Sequence, residues 1–332
     1  MKRSIILFAL LTFFQSHAQL NLANVCIGKF SFVDFKDNEY TLNENTEFKQ
    51  MESDYTYKNL RIYMLRANET YLKPNRSIGN YTSLQEALKL KKILVTEVNG
   101  GTVNTLQFEN ISKDTIMILA GEIVTGGKQD RVIGQDVLLL PKSGKVNVSV
   151  FCVEHGRWTP QGSGYQFNGY YGVSNNSVRK QAVVSKNQGQ VWEKVADMNK
   201  KNKTETSTGT YSQLHTSDEL TKELPLYMSH FEKLVTSDTN YIGFVAVTGD
   251  TIISCDLFAN HKLFKKQAPQ LIKSAAVEAI TNGTIVTLAA AKVMSFISEF
   301  MKDESNQEET VKSNGTMLKS GDKKLHLNYY KK

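Results

Sequence analysis

Two short segments carry most of the side chains that could do chemistry. The first runs from residue 121 to residue 131, and the second from residue 154 to residue 158. They combine acidic, basic, amide and aromatic side chains with glycines: Glu122, Gly126, Gly127, Lys128, Gln129, Asp130, Arg131, Glu154, Arg157 and Trp158. Lysine and arginine bind the oxygens of anionic groups, and glycine lets backbone N–H groups approach a ligand closely. The composition therefore predicts a site for a small anionic or polar ligand.

A turn at residues 141–144 would bring the two segments together. It separates two strand-like runs, and a two-residue turn at its centre places Arg131 opposite Glu154 and Lys128 opposite Arg157. A bulge between the runs would shift this register by a residue or two. We therefore expect the two charged segments to converge at one end of a β-hairpin.

Several functions remain open for this cluster. As a ligand site, Lys128, Arg131 and Arg157 would hold negative groups, and Gln129 would orient the ligand, with Gly126, Gly127 and Trp158 beside it. As a structural element, Arg131 and Glu154 would form only a cross-strand ion pair, worth about 0.2 to 1 kcal/mol.

Two further hypotheses belong to other classes of protein. A hydrolase acting on a phosphate-containing, ADP-ribose-like or glycosidic substrate could use Glu122 or Glu154 as general acid or base, provided that the carboxylate is free of arginine and open to solvent. A cell-envelope interaction module could use the aromatic residues 165–171 as its contact surface.

Other ligand classes fit the sequence poorly. Gly121 to Lys128 is one residue too long for a P-loop, and Gln129 stands where that motif needs Ser or Thr. The histidines and cysteines show no zinc-binding spacing, so the sequence predicts neither a metal nor another cofactor. The net charge of +7 comes from scattered basic clusters, which does not favour nucleic-acid binding. The sequence leaves any protein partner unknown.

The N-terminus predicts export. Lys2 and Arg3 precede the apolar run 4–14, and small residues follow at Ser16 and Ala18. The run is too short to span a membrane, which takes about 20 apolar residues. We expect a signal peptide, residues 1–18, and a periplasmic or secreted protein.

Oxidising conditions would allow at most one disulfide among the 3 cysteines, Cys26, Cys152 and Cys255. Cys152 and Cys255 lie in apolar strand-like runs, which favours buried, unreactive thiols.

The elements that must position the cluster are strands in the first half of the chain and helices in the second. This order predicts an α+β domain over residues 19–301, with a largely antiparallel β-sheet in the first half and helices packed from the second half. A mobile polar segment (302–320) and a C-terminal strand (321–332) follow. The most specific local predictions are hairpin turns at 99–101 and 248–250, a surface loop at 158–174, and helices at 177–198 and 260–280.

The two segments resemble a known signature. Gly121-Glu122, Gly127-Lys128-Gln129-Asp130-Arg131 and the run 152–158 are similar to the ARG and rhodanese-phosphatase-superfamily-associated protein domain, where ARG denotes ADP-ribosylglycohydrolase. Residues 190–192 and 249–258 extend the similarity over most of the chain, although asparagine is usual in the family where this chain has Asp130. The resemblance implies a link to ADP-ribose-related or phosphatase-like systems without an established activity. It also implies that the charged residues act as one unit.

Overall fold

The computed structural model describes residues 19–32, 45–160 and 164–331. The predicted signal peptide, residues 1–18, lies outside the described residues. The strands, in chain order, are β1 (Val25–Ile27), β2 (Phe30–Ser31), β3 (Thr56–Tyr57), β4 (Leu60–Ala67), β5 (Thr82–Ser83), β6 (Ile93–Glu97), β7 (Thr105–Asn110), β8 (Ile116–Ile118), β9 (Glu122–Gly126), β10 (Arg131–Ile133), β11 (Val137–Leu139), β12 (Gly144–Cys152), β13 (Phe167–Val173), β14 (Tyr241–Thr248), β15 (Thr251–Phe258), β16 (Gly315–Ser320) and β17 (Lys323–Tyr329). The helices are α1 (Thr46–Asp54), α2 (Glu69–Asn75), α3 (Leu84–Lys89), α4 (Asn176–Lys180), a π-helical turn (Gln181–Ser185), α5 (Gln188–Lys201), a 3₁₀ helix (Tyr211–Thr216), α6 (Asp218–Ser237), α7 (His261–Asn282), α8 (Ala290–Phe300) and α9 (Glu304–Asn314).

The strands form three sheets. The largest has the order β16-β17-β15-β14-β4-β1-β2, with β3 also paired to β4; the second has the order β13-β9-β10-β12-β7-β6; and the third is β11-β8-β5. The pairings are antiparallel apart from β5 with β8. The predicted α+β class with antiparallel sheets and helices in the second half is confirmed. The largest sheet takes strands from both halves of the chain.

Alternating side chains bury both faces of the largest sheet. On β4, Tyr63 and Leu65 belong to the apolar cluster that includes helix α8, whereas Ile62 and Met64 belong to the cluster that includes α6 and α7. Successive residues of a strand point to opposite faces, so a strand that is apolar on both faces needs cover on both. The 8-residue strand β14 is buried throughout for the same reason.

Local turn chemistry matches the predictions. Gly249, with φ +54°, joins β14 to β15, and the antiparallel register pairs Thr248 with Thr251. The turn between β6 and β7 likewise contains Asn99, Gly100 and Gly101 with positive φ. Glycine and asparagine tolerate this backbone region at low cost, which is why such turns can be predicted from sequence. Both hairpin predictions are confirmed.

Helix α7 matches its prediction and packs between two sheets. The side chain of Asn260 caps it by accepting a hydrogen bond from the backbone N–H of Leu263 at 3.0 Å. The helix lies against β14 of the largest sheet and against β13 of the second sheet. It therefore brings side chains from late in the chain to the edge of the second sheet.

The predicted hairpin around residues 141–144 is wrong. Strand β11 pairs with β8 of the third sheet, while β12 pairs with β7 and β10. The chain leaves the second sheet after β10 because Asp136 turns inward, where its carboxylate accepts a hydrogen bond from the backbone N–H of Ala120 at 2.8 Å and lies 2.7 Å from His326 Nδ1. A tertiary contact thus replaces the expected local pairing.

Three other segments differ from expectation. Residues 167–173, predicted within a surface loop, form β13 and pair with β9, because Phe167 is fully buried. The helix expected at 177–198 is interrupted at Lys186, which has φ +48°. Residues 302–320, expected to be a mobile polar segment, contain helix α9 and strand β16. The final strand, β17, lies within the predicted segment 321–332.

Candidate functional site

The two charged segments of the sequence meet in the structure. Arg131 on β10 pairs with Val124 on β9 and with Cys152 on β12. Arg157 reaches across to the first segment, where its Nη1 donates to the carbonyl oxygen of Gly127 at 2.7 Å. The predicted convergence is therefore confirmed. The predicted register is wrong by two residues, since Cys152 and not Glu154 faces Arg131.

Arg157 ties the segments together with its whole guanidinium group. Its Nε donates to Glu154 Oε2 at 2.8 Å, and its Nη2 donates to the carbonyl oxygen of Gly126 at 3.2 Å and lies 3.4 Å from Asp130 Oδ1. Together with the bond to Gly127, these contacts occupy every nitrogen of a side chain that is only 5% exposed. The acceptors that we expected a ligand to supply to Arg157 come from the protein itself.

Arg131 is also buried, but its pairing is incomplete. Its Nη1 donates to the carbonyl oxygen of Gln129 at 2.8 Å, and its Nη2 lies 3.7 Å from Glu97 Oε1, a long ion pair. The Nε and Nη2 atoms have no hydrogen-bond partner among the described residues. The ring of Trp158 lies 5.7 Å from the guanidinium carbon, and the Lys128 amine lies 5.0 Å from the same ring. This cation–aromatic stack shields Arg131 from solvent, and the Arg131–Glu154 ion pair of the structural alternative is not formed.

The glycines serve close packing. The backbone N–H of Gly127 donates to the carbonyl oxygen of Gln166 at 3.0 Å, and that of Gly126 donates to Asp130 Oδ1 at 3.1 Å. Gly127 has φ +49°, and a Cβ atom there would lie 2.4 Å from the ring of Phe167. These backbone groups are thus engaged within the protein, and Gly127 is required by the approach of β13.

Neither candidate glutamate is both free of arginine and open to solvent. Glu154 accepts hydrogen bonds from Arg157 and from the backbone N–H of Asp130. Glu122 is 1% exposed and accepts from the backbone N–H of Leu119 at 2.7 Å and from the hydroxyl of Tyr170 at 2.8 Å. Burial raises the pKa of Glu122 to about 7. Its carboxyl therefore exchanges a proton near neutral pH, with Tyr170 as its polar neighbour.

An open cleft of about 660 Å³ lies between the turn that follows β9, strand β13, the 3₁₀ helix and helix α7. We call it the Lys273 cleft. The polar and aromatic side chains that line it come from four separate parts of the chain: Asp130, Tyr170, Tyr171, Ser212, His215 and Lys273, with Gly126 beside them. Such convergence of a few polar groups with aromatic walls is typical of a small-molecule site.

Lys273 is the distinctive residue of the cleft. It forms no ion pair or hydrogen bond with any residue that the structure describes, and its amine lies 5.4 Å from the ring of Tyr171. Partial burial lowers its pKa. Two other half-buried lysines differ, since Lys92 lies 2.5 Å from Asp114 and Lys266 lies 3.1 Å from Glu86.

Asp130 forms the polar floor of the Lys273 cleft, and its carboxylate already accepts hydrogen bonds from the protein. Its Oδ2 accepts hydrogen bonds from the hydroxyls of Thr210 at 2.9 Å and Ser212 at 3.0 Å. Burial and the neighbouring Glu154 raise its pKa. The His215 ring lies above, with its Nδ1 at 2.7 Å from the carbonyl oxygen of Ser212. Because a carbonyl only accepts, Nδ1 carries a proton and the second ring nitrogen, Nε2, is the one left to accept a proton.

Of the predicted site residues, Gly126 borders this cleft, while Gln129, Arg131, Glu154 and Arg157 are buried and do not line it. Lys128 is half-buried, and Trp158 is 44% exposed on the stack described above. Sequence reasoning missed Tyr170, Tyr171, Ser212, His215 and Lys273. The one signal for Lys273 was a charge within an otherwise buried stretch of α7, between Ile272 and Ser274.

A second buried network ties the largest sheet to strand β11. Arg179 donates to both carboxylate oxygens of Asp256 at 2.9 and 3.1 Å, and His326 lies between Asp256 (3.2 Å) and Asp136 (2.7 Å). The two carboxylates raise the pKa of His326 to about 9 against the effect of burial. The network holds two positive and two negative groups. It was not foreseen from the sequence because its members are far apart in the chain.

The cysteines are free thiols among the described residues, and Cys152 and Cys255 are buried, as expected. Burial raises the pKa of Cys152 to about 11, which keeps it protonated and unreactive at neutral pH. No group of three or more His, Cys, Asp or Glu side chains in the described ranges could hold a metal ion. Nor does any described helix combine the length and apolar composition needed to cross a membrane.

Fold and site together define an α+β protein that has two buried charge clusters and an open cleft with a cation and aromatic walls. The chain belongs to the family described as the ARG and Rhodanese-Phosphatase-superfamily-associated Protein domain (ARPP-1), which matches residues 49–327. The predicted family is thus confirmed. The match covers both charged segments and every residue named in the Lys273 cleft. No curated protein and no solved structure was found to match the chain.

Proposed function

We propose that the protein binds a small anionic or polar ligand in the Lys273 cleft. The observation that carries the proposal is the unpaired, half-buried amine of Lys273 facing a cleft walled by Tyr170 and Tyr171. Partial burial of a cation is costly unless an anion accompanies it. A bound anion would supply the charge that the chain itself does not provide.

The other groups of the cleft suit the same ligand. Tyr170 and Tyr171 can cover an apolar or ring portion, and Ser212 and His215 can bond to polar atoms. Attraction between charges is stronger near a protein surface than in bulk water, because the effective dielectric constant is lower. The ligand class is the one that the sequence suggested, but Lys273 replaces Arg131 and Arg157 as the cation that meets it.

The test is a thermal-shift and calorimetric screen with phosphate, ADP-ribose, nucleotides and anionic sugars. We expect at least one to bind, and we expect Lys273→Ala to weaken its binding tenfold or more, which corresponds to about 1.4 kcal/mol. Lys265→Ala is the matched control, since Lys265 is exposed on the same helix. Absence of any binding, or equal affinity in Lys273→Ala and the parent protein, would refute the proposal.

A second candidate function, acid–base hydrolysis, would have to use Glu122 through the Tyr170 hydroxyl, because the Glu122 carboxyl is only 1% exposed and does not itself meet the condition of solvent access. Its pKa of about 7 suits a group that both takes up and releases protons, and the Tyr170 hydroxyl connects it to the side of the cleft. Glu122→Gln should then abolish turnover of a phosphate-containing or ADP-ribose-like substrate while ligand binding remains. Turnover that survives Glu122→Gln excludes this function.

We also propose that the protein is exported, with cleavage after Ala18. The support is the basic pair Lys2 and Arg3 before a short apolar run. Intact mass of the protein recovered from cell fractions tests it: a chain beginning at Gln19 outside the cytoplasm is expected. A full-length chain confined to the cytoplasm would rule export out.

A further inference from the structure

The Lys273 amine has the surroundings of a nucleophile as well as those of an anion site. A lysine held as a permanent cation usually has a carboxylate partner. Lys266, about two turns earlier on the same helix, has such a partner in Glu86. Lys273 has none among the described residues, and it lies against an aromatic ring where water is partly excluded. These conditions lower the pKa of an amine, and the neutral amine attacks carbonyl carbons.

We propose that Lys273 captures an anionic aldehyde or ketone as a reversible imine. The inference rests on the proposed function, since the anionic group of the ligand is what brings the carbonyl into the cleft. The ligand class is therefore a small carbonyl compound that also carries a carboxylate or phosphate.

The chemistry balances without any co-reactant. The ammonium group of Lys273 first loses a proton, and the nitrogen lone pair then forms a bond to the carbonyl carbon while the carbonyl oxygen takes up a proton. The resulting carbinolamine loses its oxygen as water, which leaves a protonated imine. One ammonium and one carbonyl thus give one iminium and one water, and the nitrogen keeps the positive charge that holds the anion.

Proton-transfer groups line the same cleft. His215 lines the same cleft and donates through Nδ1 to the Ser212 carbonyl oxygen, so Nε2 is the ring nitrogen that can accept a proton there. The hydroxyl of Ser212, which donates a hydrogen bond to Asp130, also lines the cleft. Neither group needs to be charged at the start, which suits a site that must first deprotonate a cation.

Reductive trapping tests the proposal. The full-length protein is incubated with pyridoxal 5′-phosphate or glyoxylate and sodium cyanoborohydride, which converts an imine into a stable secondary amine, and the modified lysine is located by peptide mass spectrometry. We expect Lys273 to be modified at least tenfold faster than the exposed Lys265. Equal rates at the two lysines would overturn the proposal.

A variant separates imine formation from anion binding. Lys273→Arg keeps the positive charge but cannot form an imine, so phosphate binding should persist within a fewfold while the trapped adduct disappears. An adduct that remains at the same level in Lys273→Arg would overturn the imine. If the parent protein forms no adduct but loses phosphate binding in Lys273→Ala, the imine alone is refuted. If it forms no adduct and binds no ligand of the screen, the proposed function is refuted too.

Discussion

Arg179 on α4 and Lys273 on α7 are cations on neighbouring helices with opposite surroundings. Arg179 is 1% exposed, and all of its nitrogens donate, one to the carbonyl oxygen of Ala120 at 2.9 Å and two to Asp256. Lys273 is half-buried and makes no polar contact with the described residues. The guanidinium of Arg179 is fully paired within the protein. The amine of Lys273 is not paired by any described residue.

Comparing the two cations distinguishes charges that are paired within the protein from a charge that is not. The cluster around Arg157 was the strongest signal in the sequence, yet its pairing within the protein places it with Arg179. A buried pair gains little net stability relative to apolar side chains, but removing one partner leaves an uncompensated charge. A cation that lacks a partner has to be explained by solvent or by a ligand.

The largest expected effect would come from unpairing Arg179. Asp256→Ala should lower the free energy of unfolding by about 3 to 5 kcal/mol, because it leaves the guanidinium and His326 without their shared carboxylate. Urea denaturation measures it, and double replacement by Arg179→Met and Asp256→Leu should recover part of the loss. A change below about 1 kcal/mol for Asp256→Ala would contradict the structural role assigned to the Arg179–Asp256 pair.

A pH series tests the same network through His326. Its pKa is raised from 6.5 to about 9, so its contribution to stability is fully present below about pH 6.5 and is lost as the pH rises through 9. Urea denaturation at pH 6, 7.5 and 9 should show a loss on the order of 2 kcal/mol that His326→Gln flattens. An unchanged slope in that variant would contradict the assigned pairing.

Extending the same urea series down to pH 4.5 adds a control range, in which Glu122 titrates. Its pKa is raised from 4.5 to about 7, so its contribution to stability is lost between those two values as the pH rises. Glu122→Gln should flatten only this lower range and leave the range above pH 7 to His326.

Lys273 should behave in the opposite way from Arg179. Lys273→Met replaces an unpaired, partly desolvated cation with an apolar side chain of similar length, and we expect stability to rise by up to about 1 kcal/mol. Phosphate binding should be lost in the same variant. Urea denaturation measures the gain in stability, and calorimetry measures the loss of phosphate binding. A destabilised Lys273→Met protein would mean that the amine has a structural partner.

The smallest effect is expected at an exposed ion pair, which serves as a reference for the buried ones. Arg76 and Glu69 form an ion pair at 2.6 Å in which both side chains are more than 60% exposed. Arg76→Ala should change the free energy of unfolding by less than about 0.5 kcal/mol, because solvent screens exposed pairs. A larger change in urea denaturation would show that pairing geometry alone, without burial, governs stability here.

Much of the architecture could be predicted from the sequence because it depends on neighbouring residues. Gly249 and the run 99–101 determine their turns through positive φ, and Asn260 begins α7 through its side chain. The pattern of apolar residues likewise predicted the α+β class. The prediction that the charged segments converge was correct, although the hairpin on which it relied is absent.

The site was less predictable, since its defining property is a missing contact. Residue spacing shows that Lys128, Arg131 and Arg157 could meet a ligand, but not that Gly126, Gly127, Asp130 and Glu154 satisfy Arg157 first. Glu97 beside Arg131 comes from a separate strand, and such partners leave no local pattern.

By itself, the sequence determined the local turns, the helix caps and the α+β class, because each of these depends on side chains close together in the chain. Only the tertiary structure decided that Arg157 and Arg179 are paired within the protein while Lys273 is not. Lys273 meets Tyr171 and the Asp130 floor only after α7 packs against β13. Burial and pairing depend on contacts between residues that are distant in the sequence, and in this fold those contacts give Lys273 no ion-pair partner among the described residues.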